Sequence, residues 1–307
     1  MALSAVLVTG GSGFVGTALL QRLPSIDINI VGRIQPDNTG VRFFNTHISS
    51  NGDYSEALAG IEVVIHCAAR VHMMDDNSSD PLAAFREVNT FGALNLAKQS
   101  AAAGVKRFIF LSSIKVNGES TFNDKPFRYD DALKPEDAYG ISKAEAEAGL
   151  KQIAKDTGME LVTIRPPLVY GPGVKANFAA MLKLAQKNLP LPLGAIHNKR
   201  SLVVQDNLVD LIITCIDHPK VANQTFFVSG DQDVSTTELL KLMTRTDGKK
   251  PKLLPVPMSW LKLADKLTGK QAVIDRLCGN LQVDINHTKA SLGWEPVITI
   301  TEQLKKI

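Results

Sequence analysis

Several things are scarce in this 307-residue chain. It has three cysteines, Cys67, Cys215 and Cys278. They are far apart, odd in number and without metal-ligand spacing. That argues against a disulfide framework or a metal centre and for reduced thiols in the cytoplasm. No long run of lysine or arginine appears, and the net charge is only +3. Nothing in that balance asks for nucleic acid or a membrane surface as partner. No apolar stretch is long enough to span a bilayer. The first strand begins at once, without a basic and apolar leader, so no signal peptide is expected.

What is present is organised around Gly10-Gly11-Ser12-Gly13-Phe14-Val15-Gly16. An apolar run, Ala5 to Val8, leads into it, and Leu19, Leu20 and Leu23 follow at helical spacing. The glycines therefore sit where a buried strand becomes a helix, the context that gives such a motif meaning. Gly11, Gly13 and Gly16 spell G-x-G-x-x-G; Gly10, Gly13 and Gly16 spell G-x-x-G-x-x-G. Either spelling serves one need: a tight turn, close approach of a pyrophosphate, and close packing of helix on strand.

Further apolar runs at Ile28–Val31, Val41–Phe44, Ile61–Ile65, Phe108–Leu111 and Leu161–Ile164 read as buried parallel strands. Between them lie helical patterns at Tyr54–Leu58, Pro81–Ala102 and Ala138–Lys155. The alternation predicts an α/β, Rossmann-like doubly wound parallel sheet. Near Tyr170 the pattern changes, and Leu189-Pro190-Leu191-Pro192-Leu193-Gly194 excludes regular helix there. A helix is expected over Asn177–Lys187, and the sheet pattern returns at Leu202–Val204, with a helix at Asn207–Ile216 and a strand at Thr225–Val228. Residues 1–170 and 202–230 are thus assigned to a dinucleotide-binding domain. Residues 171–201 and 231–307 are assigned to a smaller, mostly helical substrate lobe.

Tyr139 and Lys143 open a long helix four residues apart, on one face. A phenol near pH 7 is a poor base unless an ammonium and the positive end of a helix stabilise its anion. This spacing supplies both, and suits proton exchange with an alcohol or ketone. Ser113, at the end of the run Phe108–Leu111 and Ser112, falls where parallel strands line a ligand crevice.

Gly10, Gly13 and Gly16, then Ser113, Tyr139 and Lys143, in this order, resemble the nucleotide-sugar branch of the extended short-chain dehydrogenase/reductase family. The resemblance covers nearly the whole chain. His66-Cys67-Ala68-Ala69 is similar to that family's loop after the fourth strand, Asn89 to its mid-helix asparagine, and Arg165 to Gly173 to its segment beneath the nicotinamide. The resemblance implies an NAD(P) cofactor held by Gly10, Gly13, Phe14, Val15, Gly16, Ala68, Ala69, Asn89, Pro166 and Leu168. It also implies Tyr139 as acid/base, Lys143 on the nicotinamide ribose, and Ser113 on the substrate oxygen. Asn177, Leu191, Arg200 and Arg276 fall where the family holds a UDP-sugar. The helices 81–102 and 138–155 resemble its dimer-forming pair, and Ala144, Ala146 and Ala148 permit close approach, so a homodimer is expected.

Two local departures narrow the expectation. The family's 4,6-dehydratases carry Asp-Glu after the serine or threonine, where this chain has Ile114-Lys115. Strand two ends in Gly32-Arg33 where an NAD enzyme places Asp or Glu, a lean toward NADP, since arginine can fork onto a 2′-phosphate. Ser113–Gly118 and Lys199–Leu202 most resemble bacterial reductases of UDP-4-keto-6-deoxy-N-acetylhexosamines (UDP-N-acetylquinovosamine dehydrogenase-like), which serve polysaccharide biosynthesis. The leading expectation is therefore reduction at C4 of such a keto-sugar. The alternative is a UDP-hexose 4-epimerase with bound NAD, and a third class is a redox-sensing binding module without turnover.

Overall fold

The computed structural model describes residues 5–23, 27–37, 40–71, 80–122, 125–174, 176–260 and 277–307, without the side chains of 176 and 177. Seven parallel strands form the central sheet: β1 (Ala5–Thr9), β2 (Asp27–Gly32), β3 (Arg42–Asn45), β4 (Val63–His66), β5 (Arg107–Leu111), β6 (Glu160–Arg165) and β9 (Gln224–Phe227). Their order is β3-β2-β1-β4-β5-β6-β9. It reverses between β1 and β4, the switch point outside whose carboxyl strand ends sheets of this topology bind their ligands. This is the Rossmann-like α/β fold that the apolar runs predict.

The runs are continuous because both faces of the sheet are covered. Val6 and Val8 point into one core with Val63, Ile65, Ile109, Val162 and Ile164. Leu7 points into the other with Val64, Phe108, Phe110 and Leu161. The first core is closed by α1 (Phe14–Arg22) and α7 (Gln205–Asp217). The second is closed by α2 (Ser55–Leu58), α4 (Ala93–Ala102) and α5 (Ala138–Thr157).

Two features differ from the sequence expectation. The single helix expected over 81–102 is α3 (Pro81–Phe85), a π-helical stretch (Arg86–Gly92) and then α4. Leu202–Val204 does not rejoin the main sheet. As β8 it pairs with β7 (Leu168–Tyr170) in a separate two-stranded parallel sheet. Both strands are too short for the pattern of buried residues to tell one sheet from another. Tyr170, Leu202 and Val204 instead build a third core with Phe178 of α6 (Ala176–Lys187) and Leu239, Leu240 and Met243 of α8 (Thr236–Thr246). The chain ends in α9 (Asn286–Leu292) and α10 (Ile300–Leu304). Among the described residues no helix is long and apolar enough to cross a membrane.

The glycine turn shows which spelling the fold uses. Gly10 sits at φ +72°, and a Cβ there would lie 2.7 Å from the Ala68 nitrogen. A Cβ on Gly16 would lie 2.1 Å from the Gly10 carbonyl oxygen, so only hydrogen lets α1 pack on the turn. Gly11 has ordinary φ and meets only the side chains of Ile30 and Leu20. Gly16→Ala is therefore expected to cost several kcal/mol and the bound dinucleotide, whereas Gly11→Ala costs about 1–2 kcal/mol as overpacking. Urea denaturation and the nucleotide content of the purified variants check this.

Candidate active site

Three elements bring the predicted residues together at the end of β5. Ser113 follows β5 in extended conformation and caps a short 3-10 turn, Ile114–Val116, its hydroxyl accepting from the Lys115 amide. The Ile114 amide donates to the Pro166 carbonyl at 3.0 Å, tying this turn to the end of β6. Helix α5 starts against the same turn. Asp137 caps it by accepting from the Gly140 amide at 2.6 Å, and its other oxygen meets Lys115 Nζ at 2.5 Å. A Cβ on Gly140 would lie 2.8 Å from the Lys115 carbonyl, so glycine at this point lets the first turn of α5 settle against the Ser113 loop.

Tyr139 is in that first turn, half-buried, its ring edge-on to Phe85 with centroids 6.0 Å apart. Its phenol is hydrogen-bonded to Ser113. Burial pushes the phenol up to about 12; the Ser113 hydrogen bond opposes this and the Asp137 carboxylate adds to it. One turn on, Lys143 is 1 % exposed. Its ammonium donates to the Leu111 carbonyl at 2.8 Å and stands 4.5 Å from the Phe110 ring centre. Burial brings it down to about 8, with Cys67 and Glu147 holding it up. An ammonium has three donors, and among the described residues only Leu111 takes one, so two remain for a ligand.

One more turn on, Glu147 completes the stripe, fully buried. It grips the equally buried Arg165 of β6 through two contacts, 2.9 Å from Nε and 2.6 Å from Nη2, and accepts from Ser112 Oγ at 2.6 Å. Arg165 also donates to Asn117 Oδ1 at 3.2 Å. The sequence reading missed Glu147 as a partner, although its spacing of four from Lys143 places it on the same face.

The other candidates fall as follows. Gly13 ends the glycine turn as the N-cap of α1, with no side chain satisfying the helix's first amides. Those amides, with Phe14, Val15 and Gly16, form a cradle fitted to a pyrophosphate. Across it, the Thr9 hydroxyl accepts from the Ala68 amide and lies 2.7 Å from His66 Nδ1. His66 is buried against Phe108 and Phe110, and desolvation with the nearby Lys143 charge brings it down to about 3, so it is neutral. Ala69 is half-buried beside Ala68. Asn89 lies in the π-helical stretch, fully buried. Its amide is spent on the Arg70 backbone and the Ser142 hydroxyl, so it braces the loop after β4 and does not itself face the crevice. Pro166, just after β6, is buried, and Leu168, the first residue of β7, is exposed. Arg33 is exposed just beyond β2.

Farther along the chain, Leu191 forms an isolated bridge with Leu253. Arg200 is half-buried, bridged to Val234 and Leu281, with Glu119 facing it. Glu119 is also 2.8 Å from Lys115 Nζ, so Arg200 belongs to a line of charges that ends at Asp137 beneath Tyr139. The side chain of Asn177, and Arg276 altogether, lie outside the described residues. No group of three or more metal-ligating side chains occurs among the described residues.

Residues 6–229 match the NAD dependent epimerase/dehydratase family. The chain belongs to that family. It is an enzyme of the extended short-chain dehydrogenase/reductase type. A UDP-glucose 4-epimerase of Vibrio cholerae is 52% identical over 306 residues, covering 98% of this chain and 93% of the relative. An Escherichia coli O157:H7 relative, an N-acetyl-α-D-glucosaminyl-diphospho-ditrans,octacis-undecaprenol 4-epimerase, is 28% identical over 98% of this chain and 93% of its own. The fold matches that of a Thermotoga maritima UDP-glucose 4-epimerase solved with UDP-glucose, at TM-score 0.78, 23% identity and coverage of 98% and 96%. A Bacillus cereus UDP-glucuronic acid 4-epimerase solved with NAD superposes equally well, at 19% identity over 98% of this chain and 96% of its own.

The Vibrio relative overturns the expectation of a keto-sugar reductase and favours the alternative, the epimerase. The reason is physical: one serine, tyrosine and lysine serve hydride transfer in either direction, so Ser113–Gly118 and Lys199–Leu202 cannot separate a reductase from an epimerase.

Two tests follow from the stripe. Glu147→Gln leaves Arg165 buried without its counter-charge and is expected to destabilise the fold by about 3–5 kcal/mol, read by urea denaturation. Lys143 has a native pKa of about 8 against an ordinary 10.5. Between those values the unfolded chain binds the extra proton, so the native protein gains stability as pH rises through that window. Lys143→Met is expected to be more stable than the wild type at pH 7 by about 2–3 kcal/mol, with the gap closing by pH 10.

Proposed function

We propose that this protein is a UDP-hexose 4-epimerase that interconverts UDP-glucose and UDP-galactose type sugars with NAD retained. The observation that carries the reading is the 52% identity, over 98% of the chain, to a UDP-glucose 4-epimerase. The juxtaposition of Ser113, Tyr139 and Lys143 supports it. When bound, NAD supplies a hydride acceptor at sugar C4 that also gives the hydride back. Tyr139 takes the proton of the C4 hydroxyl and later returns it to the same oxygen, which Ser113 holds. Lys143 offers its remaining donors to the nicotinamide ribose and keeps a positive charge beside the phenolate. Gly10, Gly13, Phe14, Val15 and Gly16 hold the pyrophosphate. Ala68, Ala69, Pro166 and Leu168 flank the dinucleotide, with Asn89 acting through the Arg70 loop. Leu191, Arg200, Asn177 and Arg276 are assigned to the UDP moiety, the arginines because a guanidinium forks onto phosphate.

Arg33 gives a 2′-phosphate a partner, so NADP is admitted as a second dinucleotide beside NAD. Arg33→Ala is expected to weaken NADP binding about tenfold or more and leave NAD binding unchanged, measured by calorimetry. The cytoplasmic assignment is supported by the odd number and wide spacing of the three cysteines, which argue against a disulfide framework. A homodimer through the outward faces of the 81–102 helical segment and α5 is supported by exposed Phe91 of the π-helical stretch and exposed Ala148 of α5. Ala146 and Gly149 are spent inside the chain, on the core and on Leu94.

The purified protein is expected to convert UDP-galactose to UDP-glucose without net use of dinucleotide. Tyr139→Phe is expected to lose about 10²–10⁴-fold in turnover while keeping its bound NAD. Absence of interconversion in protein that carries NAD overturns the reading. So does full activity in Tyr139→Phe.

A further inference from the structure

The second lobe carries a surface that the site does not use. Leu189 and Leu254 are 54% and 52% exposed, and Leu184 of α6 39%. Trp260, six residues beyond Leu254, is 70% exposed. The two segments that bear the leucines are joined. Leu191 donates its amide to the Lys252 carbonyl at 3.1 Å, and Leu254 donates to that of Leu191 at 2.8 Å. Asn188 Nδ2 donates to the Lys250 carbonyl at 3.0 Å, and Lys249 Nζ to the Gln186 carbonyl at 2.6 Å.

The same joined segments and the end of α8 carry Lys183, Lys187, Arg245, Lys249, Lys250 and Lys252, all exposed. Residues 183–190 and 245–260 hold one acid, Asp247, already paired with Lys249. The chain as a whole balances 34 basic against 31 acidic residues, so this imbalance is local. The cations come from two stretches far apart in the sequence, 183–187 and 245–252, which is why no long basic run shows there and no membrane partner was expected from it.

We propose that this face docks the protein on an anionic lipid surface. Lysine stems lie along apolar material while their heads reach phosphate. Isolated leucines and a tryptophan are the side chains that enter a headgroup layer. Clustered cations on such a face are drawn to anionic lipid within a Debye length. An acidic protein partner is a poorer match, because lysine is depleted in protein interfaces where arginine is enriched, and five of these six cations are lysine. The inference does not depend on which sugar the site takes.

The chain has two tryptophans, which makes the test direct. Trp294 is buried, with its Nε1 donating to Asp210 at 2.9 Å, so a change in emission on docking reports Trp260. Phosphatidylglycerol-containing vesicles are expected to shift the emission to the blue, and phosphatidylcholine vesicles are not. Trp260→Phe is expected to abolish the shift. Lys187→Gln/Lys250→Gln and, separately, Leu189→Ser/Leu254→Ser are each expected to weaken co-sedimentation with anionic vesicles by about tenfold or more, with turnover in solution unchanged. The proposal is overturned if anionic and neutral vesicles bind alike, or if the leucine pair can be changed without loss. It is also overturned if the leucine variant lowers the sedimenting mass without vesicles, which would assign the face to a second copy of the chain.

Discussion

Everything the site can do depends on one stripe of α5, Tyr139, Lys143 and Glu147, pressed against the ends of β5 and β6. A helix alone would leave the first two side chains free to choose their rotamers. Here Glu147 is fixed by Arg165 and Ser112, and Lys143 by the Leu111 carbonyl, so the stripe is held at two heights along its length. A buried ion pair adds little net stability. Its value lies in geometry, because neither partner can move without exposing the other's charge to apolar surroundings. The same burial makes the ammonium of Lys143 expensive, and the protein accepts that expense where an enzyme needs a cation beside a phenol.

The dinucleotide cradle is built differently, from the absence of side chains. Gly10 and Gly16 each occupy a place where one more carbon would strike backbone, and Gly13 leaves the start of α1 uncapped. Gln205, at the start of α7 on the same face of the sheet as α1, closes the arrangement by donating to the Phe14 carbonyl at 2.6 Å, so α7 and the glycine turn are fixed to each other. The charges of Arg200, Glu119 and Lys115 run in line to Asp137 and so reach the N-terminus of α5.

Much of this could be read in the sequence. The apolar runs alternate between two cores, which is what a sheet covered on both faces requires, and they mark every strand of the main sheet. Glycine spacing and the Tyr139–Lys143 interval are local properties, so they survive without tertiary knowledge. Pairing is not local: three residues at Leu202–Val204 carry no mark of which strand they join, and they joined β7. Glu147 and Arg165 look like ordinary surface charges until the fold buries both. Choice of reaction was the hardest to read, since epimerase and reductase use the same three side chains on the same strand end. The cations of the second lobe are scattered along the chain and gather only when α6 and the segment after α8 meet.

The π-helical stretch between α3 and α4 has an effect on phase. A helix that closes one turn with an extra residue emerges rotated by about 100°. Phe85 can then face Tyr139 before the stretch while Ala93, Leu96 and Ala97 face the sheet after it. Thr90 and Asn89 lie within it, bonded to the Ser142 carbonyl and hydroxyl. Deleting one residue there would leave an unbroken α-helix whose two halves could no longer both point inward. The odd length of this segment is thus a dimension of the pocket wall, set as firmly as the width of the glycine turn opposite.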